Sequence, residues 1–273
     1  MAASSQTRFR SISLPSRLQH PTGFESHLQN LKSWQVPKAA PISSDAIQSG
    51  LLELSELYNQ FKTQQQKLSL HRDGKSVQDS LSTSIELLDS CATIRESVQM
   101  IREAIQSLQS ALRRKGLDSS IHPDTASYLT IRKKMNKSIS KTMKSLKKLE
   151  NKNGLEELTQ VNLITVSIFK GILVFLSWPT TWNLVSKLIS TKDHHHHHLY
   201  SDVTEVGCVD SAVNTLHGRV RNSNDSKNFD LQMMQTKLQN LDACAEGIES
   251  GIETVFRNLI ECRVTLLNIV TDH

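Results

Sequence analysis

The chain has 273 residues, a net charge of +5, 37% hydrophobic and only 5% aromatic residues, with 10 glycines and 6 prolines. So few aromatics and turn formers exclude an all-β fold, which needs packed aromatic strands and frequent turns. The charge is uneven: Arg113 to Lys152 carry twelve Lys/Arg against three Asp/Glu, a net +9, so the remainder sums to −4.

Residues 1 to 24 are rich in serine, with Arg8, Arg10 and Arg17 and no acidic residue before Glu25. No apolar run there is long enough for a secretory signal, but a transit peptide has the same composition. Plastid or mitochondrial import therefore stands beside a cytoplasmic location as an expectation. Pro15, Pro21, Pro37 and Pro41 keep the stretch out of a long helix, leaving room for a short one from Glu25 to Trp34. Within it, Arg10, Ser11, Ser13 and Pro15 form a docking pattern. Arg10 lies three residues before Ser13, as basophilic kinases favour, and a phosphate there adds about −1.5 to −2 charge. The same order suits phosphoserine readers of the 14-3-3 type, whose arginines grip the phosphate.

A first long helix is expected after Pro41, capped by Asp45 with Gln48, on the stripe Ile47, Leu51, Leu54, Tyr58 and Phe61. Gly74 breaks the chain. Ser76 with Asp79 opens a second helix, whose stripe runs Val77, Leu81, Ile85, Leu88, Cys91, Ile94, Val98, Ile101, Ile105, Leu108 and Leu112 to a stop at Gly116. Pro123 suits the first turn of a helix running to about Lys152. On that helix Tyr128, Ile131, Met135, Ile139, Thr142, Leu146 and Leu149 share one face, at about 100° per residue. Lys133, Lys134, Lys137, Lys141, Lys144, Lys147, Lys148 and Lys152 share the other. Such lysines repel one another, and either form a solvated face or attract an anionic partner or membrane. Nucleic acid is not the expected partner, because few aromatics are interleaved for base stacking.

Val161 to Trp178 is apolar but contains Asn162, Thr165, Ser167, Lys170 and Ser177. A membrane span wants about 20 mostly apolar residues, and a mid-span lysine costs roughly 2.5 to 3.5 kcal/mol. A buried central helix is expected instead, with Lys170 snorkelling to the surface. Trp182 to Ile189 suggest another turn or two. Five consecutive histidines, His194 to His198, follow in a polar loop without fixed metal geometry. Asp202 with Glu205 then opens a helix bearing Val206, Val209, Val213 and Leu216.

The last helix has the clearest pattern. Leu231, Met234, Leu238, Leu241, Ala245, Ile248, Ile252, Val255, Leu259, Cys262, Leu266 and Ile269 alternate steps of three and four, a heptad seam. Partners of matching length exist within the chain, so a monomer or weak dimer is expected. Gly247 and Gly251 beside the seam mark either close approach of a neighbouring helix or a mild bend. Cys91, Cys208, Cys244 and Cys262 match no zinc spacing; Cys91 and Cys262 read as buried reduced thiols. No nucleophile elbow, Walker loop, dinucleotide fingerprint or catalytic carboxylate pair is present, so neither enzyme activity nor a cofactor or metal is expected.

The leader FRSISLPSR, the stretch SIELLDSCATIRESVQMIREAIQSLQSALRRKG, the segment YLTIRKKMNKSISKTMKSLK and the tail LDACAEGIESGIETVFRNLIECRVTLLNIV resemble the plant-specific BYPASS-related family. The resemblance covers nearly the whole chain in order. It implies an all-helical plant protein, with some relatives linked to root and shoot development and none to a catalytic site. The five-histidine run departs from the family pattern. The expected fold is all-α: an elongated antiparallel helix bundle over 44–273, with a variable loop at about 190–202, behind a flexible, disordered leader over 1–43. The expected function is a non-enzymatic plant scaffold or adaptor with a phosphorylatable docking motif. The alternative is a peripheral membrane protein that binds anionic lipid through its lysine-rich helix.

Overall fold

A computed structural model describes residues 23–35, 42–68, 74–152, 154–177, 204–221 and 231–271. Among them are seven α-helices and no strand: α1 Gly23–Leu31, α2 Ser44–Leu68, α3 Gly74–Lys115, α4 His122–Leu149, α5 Glu156–Leu176, α6 Glu205–Arg221 and α7 Leu231–Thr271. The helical bundle read from periodicity is the fold observed. Arg10, Ser11, Ser13 and Pro15, the turn expected over Trp182 to Ile189, and the five histidines lie outside the described residues.

Local chemistry sets the helix ends, with some shifts from expectation. Ser43, not Asp45, caps α2: its Oγ accepts from the Ala46 N–H at 3.3 Å, and its carbonyl accepts from Ile47 at 3.1 Å. Asp45 sits in the first turn, where its charge favours the helix dipole. α3 starts at Gly74, two residues ahead of the expected cap at Ser76. It stops at Gly116, whose φ of 64° is open to glycine and whose N–H donates to the Leu112 carbonyl at 2.9 Å. α6 is capped by Thr204, whose Oγ1 accepts from the Gly207 N–H at 3.1 Å. The expected cap, Asp202, lies outside the described residues.

α3 and α7 form an antiparallel spine, each about 60 Å long at 1.5 Å per residue. Of the twelve seam positions of α7, ten are buried, and Leu231 and Ile269 at its ends are partly so. Polar side chains fix the register along the edge. Arg102 reaches Asp242 and Glu249, Arg95 donates to Glu253 at 2.8 Å and stacks on Phe256, and Arg263 donates to the Leu81 carbonyl at 2.7 Å. Arg263 also explains a departure in α3. It donates to Ser84 Oγ at 2.9 Å, so Ser84 and Leu87 face inward while Ile85 is 46% exposed and Leu88 only partly buried.

α2 lies along α7 in the same direction, with Asn258 Nδ2 donating to the Ser55 carbonyl at 3.3 Å. A Cβ on Gly251 would fall 2.9 Å from Leu51 Cδ1, and one on Gly247 would overlap Gln48. Close approach of α2, not a bend, is therefore what these glycines permit. α4 returns along α3, α6 packs on α4 and α7, and α5 is enclosed by α2, α3 and α4. The stretch Leu158–Leu176 of α5 has a mean hydropathy of 1.6, long and apolar enough to cross a membrane by length and composition, yet most of it is buried in the bundle. Its Thr165 Oγ1 lies 2.9 Å from the Tyr58 hydroxyl. The Lys170 stem is largely covered, with its side chain 16% exposed, and its ammonium pairs with Glu150 at the surface of the bundle.

Residues 23–35, within the stretch expected as leader, pack on α2 and α5, with Phe24 and Leu31 buried. Trp34 keys them in place. A Cβ on Gly50 would stand 2.7 Å from Trp34 Cζ2, and one on Gly171 would stand 2.9 Å from Cζ3, so the indole is held between two helix backbones. A flat ring clamped on both sides cannot give way. Gly171→Ala is expected to lose about 1–3 kcal/mol by overpacking. In a Trp34→Ala background the same change is expected to gain about 1 kcal/mol, the helix propensity of alanine over glycine. Urea unfolding of the four proteins checks the reversal of sign.

Candidate docking face on α4

The apolar stripe of α4 turns inward: Tyr128, Met135, Ile139, Thr142, Leu146 and Leu149 are buried, and Ile131 is partly so. That orientation places Lys133, Lys134, Lys137, Lys141, Lys144, Lys147 and Lys148 in solvent. Lys152 does not belong with them. α4 ends at Leu149, and Lys152 turns back to pair with Glu86 of α3. Several cations elsewhere in the bundle are paired, Lys62 with Glu261, Lys115 with Asp124 and Arg95 with Glu253. No carboxylate among the described residues comes within 4.0 Å of Lys133, Lys134, Lys137, Lys141, Lys144 or Lys148. A row of like charges over about four turns repels itself and raises the potential along the outer side of α4.

The inner side of α4 holds a second constellation. Arg132 is 0% exposed, and its Nη2 donates to Asp210 Oδ2 of α6 at 2.7 Å while its Nε donates to Oδ1 at 2.9 Å. Its Nη1 donates to the Leu176 carbonyl at the end of α5 at 2.8 Å. The Tyr128 hydroxyl donates to Asp210 Oδ1 at 2.8 Å. One turn earlier, Thr125 Oγ1 lies 2.9 Å from His217 Nδ1, and the His122 and His217 rings stack at 4.2 Å. Burial works against the Arg132 cation, but the Asp210 carboxylate more than offsets it and holds the guanidinium charged. Burial, then the Asp210 charge, pushes the Tyr128 hydroxyl well above its usual range. A buried pair of this kind stabilises the correct neighbour more than it stabilises folding as such. Here it fixes three helices, α4, α5 and α6, in one arrangement.

Sequence reasoning placed the lysines but missed this lock. The signal was present in two places. Arg132 is the one arginine in a run of lysines, one turn after Tyr128 and one turn before Met135. Asp210 is an acid beside Val209 and one turn before Val213, on the buried stripe of α6. Beside the lock, a groove of about 390 Å³ opens between α3 and α4, lined by Met100, Ala104, Tyr128, Ile131, Glu103 and Lys134. The polar atoms of the lock are satisfied by one another rather than aimed into that groove. Among the described residues no cluster of His, Cys, Asp or Glu is arranged to hold a metal ion.

Cys91 and Cys262 are buried, as expected, and burial pushes both thiols from 9.0 up to about 12. In the unfolded chain they ionise near the ordinary value. Their contribution to stability is whole below about pH 9 and is lost as pH rises toward 12. Alkaline titration of the unfolding free energy is expected to fall across that window. Iodoacetamide at pH 8 is expected to reach the partly exposed Cys208 and Cys244, and to reach Cys91 and Cys262 only after denaturation.

The family model described as Protein BPS1 matches residues 50–269, from the first turns of α2 almost to the end of α7. The chain belongs to the BPS1 family. Both α4 faces lie within the match, so the lysine row and the Arg132–Asp210 pair are parts of the BPS1 body, while α1 and its Trp34 key lie outside it. The match supports a BYPASS-related plant protein. No curated protein and no solved structure matches the chain.

Proposed function

We propose that this BPS1-family protein is a non-enzymatic helical scaffold of plants that docks on an anionic membrane surface through the lysine face of α4. The observation that carries this reading is the row of exposed lysines on α4, of which Lys133, Lys134, Lys137, Lys141, Lys144 and Lys148 have no carboxylate within 4.0 Å among the described residues. An exposed helix edge suits a planar anionic surface, where each lysine contributes about 1 kcal/mol within a Debye length. The buried lock behind α4 supports it, since a platform works only if its helix is held in one orientation. The adaptor part of the proposal rests on Arg10, Ser11, Ser13 and Pro15, a phosphoserine docking pattern for protein partners of the 14-3-3 type. A role in root and shoot development follows from the family resemblance. A cytoplasmic location at the membrane face fits this reading.

Co-sedimentation with vesicles tests it. Vesicles with 30 mol% phosphatidylserine are expected to pull down the protein at about 0.1 M salt and to release it as salt rises. Vesicles of phosphatidylcholine alone are expected to leave it in solution. Equal binding to both would remove the electrostatic reading.

A further inference from the structure

One serine lies among the lysines, near one edge of their face. Lys133, Lys137, Ser140, Lys144 and Lys147 follow one another at steps of four, three, four and three, so they share a single line along α4. Ser140 sits at the middle of that line, one turn from Lys137 on one side and from Lys144 on the other. Ser138 and Ser145 lie well round the helix toward its buried side. Two hydroxyls on this helix bond back to a carbonyl four residues earlier, Thr130 to Ala126 at 2.8 Å and Thr142 to Ser138 at 3.1 Å. The half-buried Ser140 hydroxyl makes no such bond.

We propose that Ser140 is a phosphorylation site that discharges the lysine face and releases the protein from anionic membranes. The proposal rests on the docking role argued above. Lys137 at the third position before Ser140 and Lys141 just after it supply the basic context that lysine- and arginine-directed kinases select. Such a kinase provides ATP: the serine oxygen bonds to the γ-phosphorus, the bond from that phosphorus to the bridging oxygen breaks, ADP leaves and the hydroxyl proton is released. Access comes from the face itself. Lys133 with Lys137, Lys137 with Lys141, and Lys144 with Lys148 are like charges four residues apart, which weakens this part of α4 and favours its local opening.

A phosphate at this point carries about −1.5 to −2 charge. It pairs with Lys137 and Lys144 and turns repulsion along the line into attraction. Each lysine charge at an anionic surface is worth roughly fivefold in affinity, so cancelling two weakens binding about thirtyfold. The switch therefore needs no movement of the bundle.

The test uses the full chain in three forms: wild type, protein carrying phosphoserine at position 140, and Ser250→Asp, which adds charge at an exposed site of α7 away from α4. Affinity for vesicles with 30 mol% phosphatidylserine is expected to fall about thirtyfold for the phosphoserine form and to stay unchanged for Ser250→Asp. Intact protein treated with a basophilic kinase is expected to carry phosphate at Ser140 by mass spectrometry. Phosphoserine that leaves affinity unchanged while Lys137→Gln with Lys144→Gln lowers it would overturn the switch and leave the docking role standing. No phosphate at Ser140 after kinase treatment would overturn the site. Wild type that ignores the anionic vesicles would overturn both.

Discussion

Asp210→Ala is expected to cost about 3–5 kcal/mol in unfolding free energy, among the largest losses any single side chain of this protein can cause. The change removes the carboxylate that Arg132 holds through two of its nitrogens, at a site where the guanidinium is 0% exposed. A buried cation without its partner is far more costly than the pair is favourable, and Tyr128 loses the acceptor of its hydroxyl at the same time. Replacing both partners with apolar residues, Arg132→Met with Asp210→Leu, is expected to recover most of the loss, because no charge is then left buried. The double variant separates the two functions of the pair. Stability returns, while the docking of α6 on α4 becomes less specific and hydrogen exchange in α6 speeds up. A loss below about 1 kcal/mol for Asp210→Ala would mean that water reaches Arg132.

Ile252→Ala is expected to cost about 2–5 kcal/mol, while Ile260→Ala on the same helix costs about 0.5 kcal/mol or less. Both are isoleucines in the middle of α7. Ile252 is 0% exposed in the seam between α2 and α3, and its carbonyl lies 3.9 Å from Cys91 Sγ. Ile260 is 41% exposed on the outer side. Truncating the first opens a cavity between three helices; truncating the second removes area that water already touches. Equal costs would mean that the seam is not the contact that holds the bundle.

The fold was legible because burial in a helical bundle repeats. The twelve positions of α7 carry the same information twelve times, so no single side chain decides the outcome. Where one residue did decide, sequence reasoning failed. Ile85 continues the apolar stripe of α3 on paper, but Arg263 reaches across and turns Ser84 inward in its place. Ser43 rather than Asp45 caps α2, although both residues are good caps and only backbone geometry chooses between them. The lysine face could be read because charge, like apolarity, follows the helical period. Lys152 fell off it because α4 stops one turn short, at Leu149. The Arg132–Asp210 pair joins residues 78 positions apart, and nothing local announces that two charges will be buried together.

The central claim is that the α4 lysines bind an anionic surface as an array, and one measurement addresses it most directly. Affinity for phosphatidylserine vesicles is compared between wild type and the combined Lys137→Gln, Lys141→Gln and Lys144→Gln variant. These side chains are exposed, and their removal relieves repulsion along α4, so the variant is expected to unfold at the same urea concentration or a higher one. Its affinity is expected to fall about a hundredfold, with a shallower dependence on salt. An affinity equal to that of wild type in a folded variant would contradict the account.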